Sequence, residues 1–180
     1  MSWTAATKFD IYGFSRAREQ NIIEDFLNYY IHRDKSERYH GLEITVWENE
    51  KYGIDEWFNI GGENISLSEV IEYGVKNKRH GFTNYIYAPY CKSIVERVIL
   101  HFTYDGALIF GVSIDAGEVY DINKYNNALK VAHELIGRFG IIKTSIQWLT
   151  GPAKDEEEFD SDIKYWTERH KEDFDINMTS

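Results

Sequence analysis

The sequence predicts a single α+β domain over residues 1–180, with a mixed, mainly antiparallel sheet, a central β-hairpin at about 94–115 and about four flanking helices. Three observations carry that prediction. The run "VILHFTYDGALIFGVSID", Val98 to Asp115, reads as two strands folded about Asp105-Gly106, and both of its faces are apolar. The segment from Asp121 to Phe139 steps its apolar residues by three and four, opening on a capping Asp and stopping at Gly140. Short alternating segments and amphipathic ones follow each other without an internal repeat or linker.

In chain order, "KFDIYGF" (Lys8 to Phe14) is a strand ended by Gly13, and Ser15 can cap the helix after it. In that helix Ile22, Ile23, Phe26, Leu27, Tyr30 and Ile31 form one apolar face. "GLEITVW" (Gly41 to Trp47) alternates as a strand with one solvated face, and "ENEKYGIDEWFNIGGEN" reads as a long glycine-bearing loop. Ser66 and Glu69 form a capping box that opens a helix to about Lys78. "FTNYIYAPY" is a strand stopped by Pro89. In the hairpin, a two-residue turn at Asp105-Gly106 pairs His101 with Phe110, Ile99 with Val112 and Arg97 with Ile114. After the Asp121 helix, "IIKTSIQWL" is a strand. A last helix buries Phe159, Ile163 and Trp166, and residues 1–7 and 173–180 are expected to be flexible.

Composition bounds the function. Apolar residues make up 43% and charged ones 28%, ordinary for a globular chain. Tyr (13), Phe (10) and Trp (5) are abundant, and such side chains serve cores and interfaces alike. Cys91 is the only cysteine, which excludes an internal disulfide and a cysteine-based metal cage. "MSWTAATKFD" lacks the features of a signal peptide, and no apolar run is long enough to span a bilayer, so a cytoplasmic protein with no membrane association is expected.

The net charge of -10 sits almost wholly in two segments. Residues 41–65 carry one basic and six acidic side chains, and residues 151–180 carry four and ten. A phosphate backbone would be repelled, which disfavours nucleic acid, whereas a basic protein partner is allowed. If the two segments meet in space, they form one acidic, aromatic-bearing surface: Trp47, Glu48, Glu50, Asp55, Glu56, Trp57 and Phe58 from the first, Asp155, Glu156, Glu157, Glu158, Asp160 and Asp162 from the second, and Trp148 nearby. Aromatic anchors rimmed by one sign of charge suit protein recognition. The helix dipole alone accounts for Asp155 to Glu158.

Catalytic signals are sparse. "HELIG" at His133 has Gly137 where a zinc motif needs its second His, and Gly61-Gly62 lies in no phosphate-binding pattern, so no metal and no cofactor is expected. Glu96 and Asp115 face each other across the hairpin's open end, with Ser113 diagonal to them; with a histidine they are the best candidates for a small hydrolase or metal-dependent enzyme. His101 sits on an apolar face, from which Ser113 and Asp115 are expected to point away.

The run "VILHFTYDGALIFGVSID", the helix "NNALKVAHELIGRFG" and the stretch "SIQWLTGPAKDEEEF" together resemble small bacterial immunity proteins, the cognate antidotes of polymorphic or contact-dependent toxins. The resemblance covers chiefly Val98 to Phe159. It implies a non-catalytic, cytoplasmic inhibitor that binds a toxin, often a basic nuclease. An aromatic-rich module that forms homodimers is the other non-enzymatic reading.

Overall fold

The computed structural model describes residues 7–36, 44–50, 53–60, 66–117, 121–148 and 150–174; at 44–50 and 53–60 it describes the backbone alone. The elements are β1 (Thr7–Ser15), α1 (Gln20–Tyr30), α2 (Arg33–Ser36), β2 (Ile44–Glu50), β3 (Gly53–Ile60), α3 (Leu67–Lys76), β4 (His80–Tyr87), β5 (Val95–Phe102), β6 (Leu108–Gly117), α4 (Ile122–Phe139), β7 (Lys143–Trp148) and α5 (Glu156–Asp173). The strands form one sheet in the order β3-β2-β4-β5-β6-β1-β7. The expected α+β architecture is therefore present, and the β5–β6 hairpin lies at its centre. Among the described residues every strand pairing is antiparallel.

Local chemistry explains most boundaries. Ser66 Oγ accepts from Glu69 N at 3.1 Å while Ser66 N donates to the Glu69 carboxylate at 2.7 Å, the reciprocal cap that starts α3. Asp121 caps α4 through Asn123 N, and Gly140 ends it at φ 65°. Ser15 does not cap α1, which begins later, after Glu19, with no side-chain cap. Part of the segment expected as a long loop is instead strand β3. Gly61 and Gly62 lie outside the described residues, as do 1–6 and 175–180. At the other end of the chain, α5 runs to Asp173 and Phe174 stacks on Tyr125 at 4.6 Å, so two residues expected to be frayed are packed.

The hairpin register differs by one residue from a two-residue turn. Thr103 N donates to Ala107 O and Gly106 N to Thr103 O, giving a three-residue loop with Gly106 at φ 87°. This is a tight turn followed by a left-handed glycine, which a side chain would strain. His101 thus pairs with Ile109, Ile99 with Gly111 and Arg97 with Ser113. Because side chains alternate, the one-residue slip moves every β6 side chain to the other face.

One face of the sheet carries Phe9, Ile11, Val98, Leu100, Phe102, Phe110 and Val112 against Phe26 of α1, Ile71 of α3 and Leu135 of α4. The other face carries Tyr12, Phe14, Ile99 and Ile109, covered at the β7–β1 end by Ala153 and by Phe159 of α5.

Arg18, between β1 and α1, joins three parts of this framework and is 4% exposed. Its guanidinium donates to Gly74 O (2.7 Å) and Asn77 O (2.8 Å) at the end of α3, to His80 O (3.0 Å) at the start of β4, and to Ala107 O (3.1 Å) and Thr103 O in the hairpin loop. These are five donors on five carbonyls, with the Phe102 ring below at 5.2 Å. Burial lowers its pKa to about 10, opposed by Asp105, so it stays charged at neutral pH. Arg18→Ala leaves five carbonyls, three of them in buried hydrogen bonds, without their donors and is expected to cost about 3–5 kcal/mol, read as a lower urea midpoint; Arg18→Lys, with three donors, is expected to recover only part of it.

Candidate functional site

The register places a row of polar and aromatic side chains on the sheet face beside α5. Thr83, Tyr85 and Tyr87 come from β4, Arg97 and His101 from β5, Ser113 from β6, Asp10 and Tyr12 from β1, and Ser145 and Gln147 from β7. Among the described helices only α5 packs side chains into the apolar cluster on this face, at its β7–β1 end. Toward β4 the face opens: Tyr85 and Arg97 are half-buried, and Tyr87 is 43% exposed.

Asp10, Ser113 and Arg97 form a closed network in the middle of the row. Ser113 Oγ donates to Asp10 Oδ1 at 2.5 Å, Arg97 Nη2 donates to the same oxygen at 2.9 Å, and Arg97 Nε donates to Ser113 Oγ at 3.2 Å. Asp10 and Ser113 are buried, and the buried carboxylate is matched by the guanidinium it binds. The outer side of Arg97 lies over the Tyr85 ring at 5.1 Å, and Tyr85 stacks on Tyr87 at 6.2 Å. Tyr12 packs across Gly111, where a Cβ would meet its ring at 2.9 Å, and donates its hydroxyl to Thr150 O at 2.8 Å. Burial, and then the Asp10 charge, raise the Tyr12 pKa, keeping it a neutral donor.

This arrangement anchors side chains and does not activate a nucleophile. Ser113 has no exposed surface, and its proton goes to a carboxylate already bound by Arg97. His101 shares the face, contrary to the two-residue-turn register, but is four strand positions from Arg97 and so about 13 Å along the sheet from the serine. It hydrogen-bonds Thr83 Oγ1 through Nδ1 at 2.6 Å. Glu96, the extra residue of a bulge, pairs with Lys8 (3.2 Å), and Asp115 pairs with Lys124 (3.0 Å). The four groups of the enzyme reading are thus not brought together. Cys91 bonds Ile86 O, and burial pushes its thiol up to about 11, away from thiolate chemistry. His133 is exposed on α4. Among the described residues no cluster of three His, Cys, Asp or Glu side chains could hold a metal ion, and no helix is long and apolar enough to cross a membrane.

The described parts of the two acidic segments lie at opposite ends of the strand order. Trp47, Glu48 and Glu50 lie on β2 and Asp55, Glu56, Trp57 and Phe58 on β3; Trp47 stands opposite Trp57 and Glu48 opposite Glu56, while their side chains lie outside the described residues. β3 is one edge of the sheet, and α5 packs on β7 at the other edge, six strand spacings or about 29 Å away. Trp148 is half-buried, edge-on against core residue Phe9 at 5.6 Å.

Most of the α5 carboxylates also have work in the fold. Asp155 caps the helix through Glu158 N, and Glu158 reaches back to Lys154 N. Glu156 binds Arg16 and Lys143, which hold its pKa down near about 2. Asp160 also binds Lys143, and Asp162 accepts from Gln147. Of the six, only Glu157 makes no side-chain hydrogen bond or ion pair among the described residues.

Sequence reading passed over Asp10, Tyr12, Tyr85 and Arg97 because each looks like an ordinary strand residue. The usable signal was a lone Asp in an otherwise apolar strand, which demands a buried partner.

His101 supplies a test of this face. Burial, and then the Arg18 charge, lower its pKa to about 4 from 6.5. The depressed value means that the unfolded chain takes up the proton first as pH falls. The His101 contribution is therefore complete above about pH 6.5 and is lost between there and pH 4. It amounts to about 3 kcal/mol. Urea midpoints measured from pH 7 to pH 4 are expected to fall more steeply for the natural chain than for His101→Gln.

No family model matches the chain, and neither a curated protein nor a solved structure matches it.

Proposed function

We propose that this chain is a non-catalytic protein-binding inhibitor, an antidote of the immunity type whose partner is a basic toxin domain. The observation that carries the reading is the Arg97–Tyr85–Tyr87 platform, braced from beneath by Asp10 and Ser113 and left open toward β4. Tyr and Arg held in one geometry lose little entropy on binding, which is why such groups dominate interface energetics. Beside the platform, Asp155 to Asp173 carry nine acidic side chains against three basic ones. That surplus favours encounter with a cationic partner even though individual carboxylates also brace the fold. The immunity-protein resemblance of Val98 to Phe159 suggests the same class of protein, and the pairing of Glu96 with Lys8 and of Asp115 with Lys124, with Ser113 buried against Asp10, favours it over a hydrolase.

The test is a titration of the chain with the toxin domain encoded immediately upstream of its gene, together with rescue of cells expressing that toxin. A 1:1 complex that weakens with ionic strength, together with rescue, is expected. Absence of both overturns the proposal, as does a chain that forms only a homodimer by light scattering. Tyr87→Ala is expected to weaken the complex at least about tenfold without altering the urea midpoint, and Glu157→Lys to slow association.

A further inference from the structure

We propose, on the strength of the antidote reading above, that Ile94 in the loop between β4 and β5 is an apolar anchor of the same interface, and that the toxin domain offers it a nonpolar depression beside its cationic surface. Ile94 is 55% exposed, more than any other isoleucine among the described residues. Singly exposed apolar side chains are ordinary on protein surfaces. Position, support and backbone conformation set this one apart.

Tyr87 ends β4 and pairs across the hairpin with Arg97, so the loop that carries Ile94 springs directly from the Arg97–Tyr85–Tyr87 platform. Ile94 is three residues from Arg97, which keeps the two backbones within about 11 Å of each other. Ala88 N donates to Glu96 O at 2.9 Å and Tyr90 N to Tyr87 O at 3.1 Å, closing the loop onto the strand ends. Tyr87 is itself 43% exposed, so two large apolar side chains reach solvent at one end of the hairpin.

The loop is also tied to the end of α1 at several points. Lys92 donates through its backbone N to Tyr30 O at 2.8 Å and through Nζ to Asn28 O at 2.7 Å, and His32 N donates to Tyr90 O at 2.7 Å. Cys91 bridges to Ile31. Ser93, next to Ile94, has φ 56°, a left-handed conformation that a residue with a Cβ adopts at a cost. Such strain persists only where the surroundings enforce it, and it collects in segments that grip ligands. A side chain presented on a fixed backbone loses little further entropy on binding. With more than half of it in water, Ile94 adds little to the core, and a nonpolar surface that covered it would gain free energy.

The experiment titrates the toxin domain encoded immediately upstream with the natural chain and with Ile94→Thr, which keeps a branched side chain but shortens it and adds a hydroxyl. Ile94→Thr is expected to weaken the complex at least about fivefold, mainly through faster dissociation, with the urea midpoint and the dependence on ionic strength unchanged. Ile94→Val, one methylene shorter, is expected to lose about two- to fourfold, and it carries the test where Ile94→Thr lowers the urea midpoint. Ile136, 45% exposed on α4, belongs to the opposite side of the sheet from Tyr85, and Ile136→Thr is expected to bind as the natural chain does. Unchanged affinity in a folded Ile94 variant, or an equal loss in Ile136→Thr, overturns the proposal while the antidote reading stands. No complex with the natural chain overturns both.

Discussion

The rest of the structure depends on one buried charge with no carboxylate directly bonded to it. Arg18 spends all five of its donors on backbone carbonyls, two of them at the C-terminal end of α3, where the helix dipole already concentrates negative potential. Those carbonyls would otherwise be orphans in a dry interior. The side chain thereby fixes three separate pieces of backbone to each other: the exit of α3, the entry of β4 and the loop of the β5–β6 hairpin. Such a site constrains geometry more strongly than apolar contact does, because hydrogen bonds weaken steeply with misalignment whereas dispersion is forgiving.

Two consequences run outward from it. The hairpin loop is held at both its ends, Thr103 and Ala107, so its three-residue form and Gly106 at φ 87° are set by the same residue that sets the position of α3. The loop in turn decides the register, and the register decides which face each β6 side chain occupies. A two-residue turn would have moved Ser113 among the phenylalanines on the helix-covered face. With the observed loop it meets Asp10 and Arg97, where its hydroxyl is satisfied.

Elements written in local chemistry were legible in the sequence. The Ser66 capping box, the Asp121 cap with its Gly140 stop, and the strand segments around the hairpin all follow from short-range residue preferences. The failures have a common cause in long-range pairing. Arg18 reads as one of many surface charges until five carbonyls distant in sequence converge on it. A two-residue and a three-residue turn about Asp105-Gly106 both suit the same letters, and only the surrounding backbone chooses between them. Strand β3 was hidden because Gly53 and the charges at 55 and 56 resemble loop chemistry. The acidic blocks were identifiable as blocks, but their separation to opposite edges of the sheet is a property of strand order, which no local pattern encodes.

The α5 carboxylates illustrate how charge surplus and structural work coexist. Glu156 and Asp160 converge on Lys143, Asp162 takes Gln147, and Asp155 with Glu158 closes the helix start, so the helix is pinned to the edge strand by the very residues that make it acidic. Such pairs neutralise one another locally, while the excess of nine acidic over three basic side chains still projects a long-range field. In the proposed complex, close-range specificity would come from groups of fixed geometry that still reach the surface. On this side of the sheet those are Tyr85, Tyr87 and Arg97, held against one another. The chain of dependence thus reaches from one guanidinium in the interior, through a glycine loop and a strand register, to a second guanidinium at the surface.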